Sequence, residues 1–224
     1  MSDLLPVAQV IAEVEPAIAE FSRATGLAGP VRELATWATD LIRYRRAPYQ
    51  ARLLLRAAEK IKASGLPSSA VEDKLLRAVL EDGPMEDDIS MQERWANLLA
   101  NASVRTAEIR ISFPRILSEL GPSEAAVLDY LASLTFGDAD WDLNDAVHEL
   151  RLNEGVPHVA LSAPGAESTE LTLDNLDRLG LVRLDLPLYP AGRDEAAKVF
   201  LTYLGWRFVR ACQEPTHVRK DAVS

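Results

Sequence analysis

A chain of 224 residues can bury a substantial core and suits one large domain or two small ones. Apolar residues at 48% and charged residues at 26% are ordinary for a globular protein, and abundant Ala and Leu beside only 6% aromatics favours helices over sheets. The net charge of −10 argues against wholesale nucleic-acid binding, and no apolar run approaches the roughly 18–20 residues needed to span a bilayer.

The chain then reads as a procession of helices. In 4–24, Leu4, Val7, Ile11, Val14, Ile18 and Phe21 recur every three or four residues, the apolar stripe of an amphipathic helix. A second helix opens after Gly29-Pro30, where proline suits a first turn, and carries Val31, Leu34, Ala38 and Leu41. Pro48 interrupts that helix or starts a new one, because the residue before proline avoids the α region. From Pro48 to about Ala63, Leu53, Leu54, Ala57 and Ile61 face inward, and Gly65 stops the run. Ser69 and Glu72 are spaced as a capping box ahead of a short helix through Leu80. Ser90 and Glu93 repeat that spacing ahead of Trp95, Leu98, Leu99 and Ala102. Pro114 starts another helix, which Gly121-Pro122 ends, and Ser123 is placed to cap one bearing Val127, Leu128, Leu131 and Leu134.

The last third changes style. Residues 153–168 read as loop, with Gly155, Pro157, Pro164 and Gly165. A short helix from Glu170 carries Leu171, Leu176 and Leu179, and Gly180 sits where a left-handed cap would end it. VRLDLPLYP alternates as an edge strand, and KVFLT can pair back across a turn. Thr202 can cap a last helix through Gln213. Helix, strand, turn, strand, helix is a winged-helix pattern. The expected architecture is therefore mainly α, with a multi-helix N-terminal domain at 1–121. A winged-helix-like C-terminal domain with a small β-hairpin follows at 122–224.

Charge is distributed unevenly. Between 43 and 62, Arg43, Arg45, Arg46, Arg52, Arg56, Lys60 and Lys62 stand against Glu59 alone. Such a stretch can meet phosphates, a partner's acidic surface or the protein's own carboxylates. As a DNA-reading element the winged helix is poorly equipped. TELTLDNLDRLG offers Glu170, Asp174 and Asp177 against Arg178, with Asn175 its only amide, a face that repels a phosphate backbone.

No motif in the chain favours catalysis. Asp138, Asp140, Asp142, Asn144 and Glu149 echo the spacing of a calcium loop, but Leu143 stands where the sharp turn needs glycine. Asp145 also stands where an apolar anchor is usual, so helix capping explains the cluster more simply. Glu86, Asp87 and Asp88 are read the same way, as the approach to the Trp95 helix. His148, His158 and His217 lack metal-ligand spacing, and neither a phosphate loop nor a nucleophile elbow occurs. Cys212, the only cysteine, makes an intrachain disulfide impossible and reads as a buried, inert thiol. With an N-terminus lacking a basic leader, it points to the cytoplasm. No cofactor is called for.

Four segments carry a family resemblance: LAGPVRELATWATDLIRYRR at 27–46, LLLRAAEKIKASGLP at 53–67, LLRAVLEDGPMEDDISMQERWANLLANAS at 75–103 and SFPRILSELGPSEAAVLDYL at 112–131. From about 27 to 135 the chain resembles the Abi-alpha (abortive infection alpha) family, a bacterial domain of unknown function. Trp95, Asn97, Leu98, Leu99 and Pro114 form the core of that signature. Pro48 departs from the pattern and breaks any single long helix there. The resemblance implies a helical protein of bacterial antiphage defence by abortive infection, in which infected cells stop growing or die. It supplies no catalytic residues. The expected function is a non-enzymatic interaction protein with protein partners, self-association included. A nucleic-acid-binding regulator and a cryptic effector enzyme are the alternatives.

Overall fold

The computed structural model describes residues 7–25, 47–83, 87–136, 156–157, 169–185 and 198–215. The chain divides into two compact units, one of Met1–Glu119 with Ala211–His217 and the other of Leu120–Arg210 with Val218–Ser224.

Among the described residues the first unit holds five helices, α1 (Val7–Thr25), α2 (Ala47–Ser64), α3 (Asp73–Asp82), α4 (Ile89–Val104) and α5 (Phe113–Ser118), with a 3₁₀ turn at Thr106–Glu108. Helix α1 packs on α2, α2 on α4, and α3 on both α4 and α5. Helix α2 buries Ala51, Leu54, Ala57, Ala58 and Ile61, spaced as one face of a helix. Pro48 sits in its first turn, where a missing backbone N–H costs nothing, and Gly65 (φ 62°) follows its end. Leu53 is only half-buried. Helix α4 is different, because every residue from Trp95 to Ser103 is buried. A helix apolar or small on all sides belongs at the centre of a unit.

The capping details correct the expectations. Helix α4 is capped by Asp88, whose carboxylate accepts from the Met91 amide at 3.0 Å, and not by Ser90. Ser90 bonds Asp88 instead. Helix α3 follows Glu72 with no side-chain cap. Ser69 is committed elsewhere: its amide donates to Ser103 O (3.0 Å) while the Ser103 hydroxyl donates to Ser69 O (2.7 Å). A long-range polar exchange has outcompeted the local one. Pro114 opens α5 as expected, satisfying the rule that proline suits the first turn.

The second unit holds α6 (Pro122–Phe136), β1 (Val156–Pro157), α7 (Thr169–Arg178), β2 (Val182–Asp185), β3 (Lys198–Leu201) and α8 (Tyr203–Ala211), the last residue of α8 belonging to the first unit. The strands form an antiparallel sheet ordered β1-β3-β2, with Val182 opposite Leu201 and Val156 opposite Val199. Thus the 153–168 stretch is not wholly loop, since Val156 and Pro157 pair at the sheet edge that tolerates proline. Helix α7 packs on β2 and α6, and α6 on β3.

Local signals hold well here. Gly180 has φ +71° and ends α7. The Thr202 hydroxyl caps α8 by accepting from the Gly205 amide at 2.9 Å. Helix α6, however, begins at Pro122, so Ser123 lies inside it and the Glu124 carboxylate reaches back to the Gly121 amide at 3.0 Å. Leu173 and Leu176 form the buried pair of α7, while Leu171 (69% exposed) and Leu134 (50%) face out. The observed protein is mainly helical with one small antiparallel sheet near its C-terminus. No helix among the described residues is long and apolar enough to cross a membrane.

Candidate functional site

The basic stretch falls mostly on α2, and much of its charge is answered within the first unit. Arg43, Arg45 and Arg46 lie outside the described residues. Arg56 approaches Glu93 at 3.2 Å, and Lys60 bridges Glu93 (2.7 Å) and Glu214 (3.2 Å). Lys62 pairs with Glu20, which also meets Arg23. Burial works against the charged form of Lys60, whose side chain is 14% exposed, but hydrogen bonds and charge from Glu93 and Glu214 outweigh it. The result is a pKa above the usual 10.5. Arg52 is the exception on α2. It is exposed, bonds its own helix at Pro48 O (3.3 Å), lies 4.6 Å from the Tyr49 ring centroid and has no carboxylate partner among the described residues.

The signature residues have a structural task. Trp95, Leu98 and Leu99 are at most 2% exposed, and Pro114 is buried at the start of α5. Asn97 and Asn101, one turn apart on α4, are buried for a polar reason. The Asn97 amide donates to Cys212 O at 2.9 Å. That of Asn101 donates to Ala211 O (3.1 Å) and Gln213 O (2.7 Å). These carbonyls lie at the last residue of α8 and just past it, where a helix leaves its carbonyls without intrahelical donors. The two amides find these acceptors over a hundred residues away in sequence. Cys212 beside them is buried and takes part in no disulfide.

Between α2, α4 and the end of α3 lies a recess of about 420 Å³, counted to its open mouth. Tyr49, Gln50, Arg52, Leu53, Arg56, Gly83, Gln92 and Trp95 line it. Gln50 was not singled out from the sequence. Its signal was available, since a polar residue one turn before Leu54 interrupts the inward stripe of α2. Gln50 is buried and donates its amide to Leu80 O at 2.5 Å. The acidic stretch at 138–149 and all three histidines lie outside the described residues. Glu86 does too, while Asp88 is the α4 cap. Asp88 has a lowered pKa because the Ser90 hydroxyl and the Met91 amide donate to its carboxylate.

No curated protein matches the chain, and no solved structure does. The family model described as abortive infection alpha matches residues 48–212, starting later and reaching much further than the resemblance read at 27–135. It takes in the signature helix α4, its buried amides and the Ala211 and Cys212 carbonyls they hold. By this match the chain belongs to the Abi-alpha family.

Proposed function

We propose that the protein serves bacterial antiphage defence as a non-enzymatic interaction module, working through contacts with protein partners and with further copies of itself in the cytoplasm. Family membership over residues 48–212 carries the defence half of this reading, the family being described by abortive infection. The interaction half draws on the recess and surface of the first unit. The recess lining offers amides, guanidiniums, aromatics and Leu53, and no histidine, thiol or carboxylate among the described residues. Such groups bind, and none exchanges a proton readily near neutral pH. Arg52 presents an exposed guanidinium, suited to a partner's carboxylates in a protein with net charge −10.

The nucleic-acid reading, in which the helix–strand–strand–helix order is a winged helix, has less behind it. On α7 the one cation and the one amide of the described side chains are spent on each other, with Arg178 Nη2 donating to Asn175 Oδ1 at 2.7 Å. Asp177 is occupied by the Leu184 amide (3.2 Å) and leaves negative charge on that helix. An enzymatic role would need converging proton-transfer groups.

Replacing Arg45, Arg46 and Arg52 by glutamate tests the proposal. The expected outcome is loss of phage protection in cells with an unchanged circular-dichroism spectrum and melting profile. Full protection by the triple variant would sink it. Gel retardation at low salt that fades steeply with added salt would move the reading to nucleic acid.

A further inference from the structure

We infer that the α2–α4 recess receives Ile89 of a second copy of this chain, in a two-fold pairing closed by Arg52 of one protomer and Asp87 of its partner. The inference rests on the self-contact half of the proposed function and names the surface that makes the contact. Ile89 is the most exposed large apolar side chain among the described residues, at 70%. A lone exposed isoleucine is ordinary on a protein surface, so its position is what counts. It stands one helical turn before Gln92 and Glu93 on α4, on the surface those two share. Gln92 lines the recess, and Glu93 pairs with Arg56, which lines it too. Ile89 is therefore a projection at the rim of a depression whose lining is mostly apolar, with Tyr49 and Leu53 half-buried in its wall.

Charge selects the occupant. Arg52 lines the recess, is exposed, and has no carboxylate partner among the described residues. Asp87, two residues before Ile89, is exposed, and its carboxylate also has no partner among the described residues. The cation lies beside the hollow and the anion beside the projection, so the patch is complementary to itself. A two-fold rotation seats each protomer's Ile89 in the other's recess. The same operation brings each Asp87 to the partner's Arg52, the reciprocity that an isologous interface requires. An unrelated acidic peptide would use Arg52 and leave Ile89 in water, whereas a second copy uses both. The net charge of −10 on each copy repels at long range, and the two Arg52–Asp87 pairs oppose that repulsion at contact.

Sedimentation equilibrium of the full chain over a wide concentration range tests the pairing. The wild type should form a closed dimer and nothing larger. Ile89→Ala should weaken that dimer at least about tenfold and leave the melting profile unchanged, since the side chain is exposed. Arg52→Asp alone sets carboxylates against each other at both contacts, and Asp87→Arg alone does the same with guanidiniums. Each variant should stay monomeric where the wild type is dimeric. An equimolar mixture of the two should dimerise again, because every pair across the interface is then opposite in charge. Damage to the fold cannot imitate recovery that occurs only in the mixture. A dimer that survives Ile89→Ala or either charge reversal, or a mixture that stays monomeric, overturns this inference alone. A wild-type chain that stays monomeric throughout overturns it together with the self-contact half of the proposed function.

Discussion

The two units reach order by different routes. In the first, helix α4 is buried from Trp95 through Ser103, and its small residues Ala96, Ala100 and Ala102 let neighbours approach closely. Its order comes from volume: large side chains fill space, and two buried asparagines donate to carbonyls at 211–213. The second unit has four-residue strands and a helix, α7, whose fully buried side chains among the described residues are Leu173 and Leu176. Its order leans on the backbone. A Cβ at Gly205 would stand 2.0 Å from Leu181 O, so α8 approaches the start of β2 as closely as only glycine permits. The Thr202 hydroxyl fastens the same corner, 2.6 Å from Gly180 O and 3.0 Å from Leu181 O. A region specified by volume tolerates surface change and suffers from truncation. One specified by close backbone approach suffers from a single added methyl group.

The sharpest way to break this contrast is Gly205→Ala. The added Cβ meets a backbone carbonyl that cannot step aside, and the expected loss is about 3 kcal/mol. Native-state hydrogen exchange should show lost protection at 181–185 and 198–210 with α4 largely unchanged. Equal loss in α4 would mean that the two regions open as one and dissolve the distinction. Asn101→Ala should follow at about 2 kcal/mol, since it strands two carbonyls that a single amide had served. Its exchange signature belongs in α4 and at 211–213, and retention of protection there would show that water reaches those carbonyls.

The smallest effects are set by pH and fall on the first unit. Asp88 has a folded pKa below its usual 3.8, so its cap contributes stability above that value and loses it as acid protonates the folded carboxylate. Lys60 has the opposite sign. Its folded pKa lies above 10.5, so its contribution is complete below that pH and disappears as alkali deprotonates the folded protein. Melting temperature against pH should fall at both extremes. Asp88→Asn, which keeps a cap acceptor but does not titrate, should flatten the acid limb, and Lys60→Met the alkaline one. Limbs that persist unchanged would assign the titration to other groups.

Signals that depend only on neighbouring residues survived folding. Gly65 and Gly180 take positive φ, Pro48 and Pro114 stand at helix starts, and Thr202 caps α8, because each is a property of a few consecutive peptide units. The capping boxes did not survive. Ser69 and Ser90 had other partners available, one of them 34 residues away, and a hydroxyl takes whichever geometry the packed chain offers. The apolar stripes were legible as stripes, but which member faces inward was not. Leu171 and Leu134 matched the period and are exposed, since periodicity gives a face and not what covers it.

The candidate site was less legible than the fold. A run of basic residues on α2 could be counted, yet its division between neutralised and available charge depended on Glu93 and Glu214, which lie 33 and 154 residues from Lys60. Gln50 lines the recess beside Trp95 while its amide is held by Leu80 O, 30 residues away, a pairing that no local pattern announces.

By itself the sequence determined the helical class, the positions of the turns, the family signature and the burial of Trp95, all consequences of local propensity and apolar period. Tertiary structure alone decided what the buried polar groups are for. An asparagine or glutamine on an apolar stripe demands partners, but hydrogen bonds act over about 3 Å of space and not over sequence. Only the folded chain brings Asn97 and Asn101 to the carbonyls at the end of α8, or Gln50 to Leu80 O.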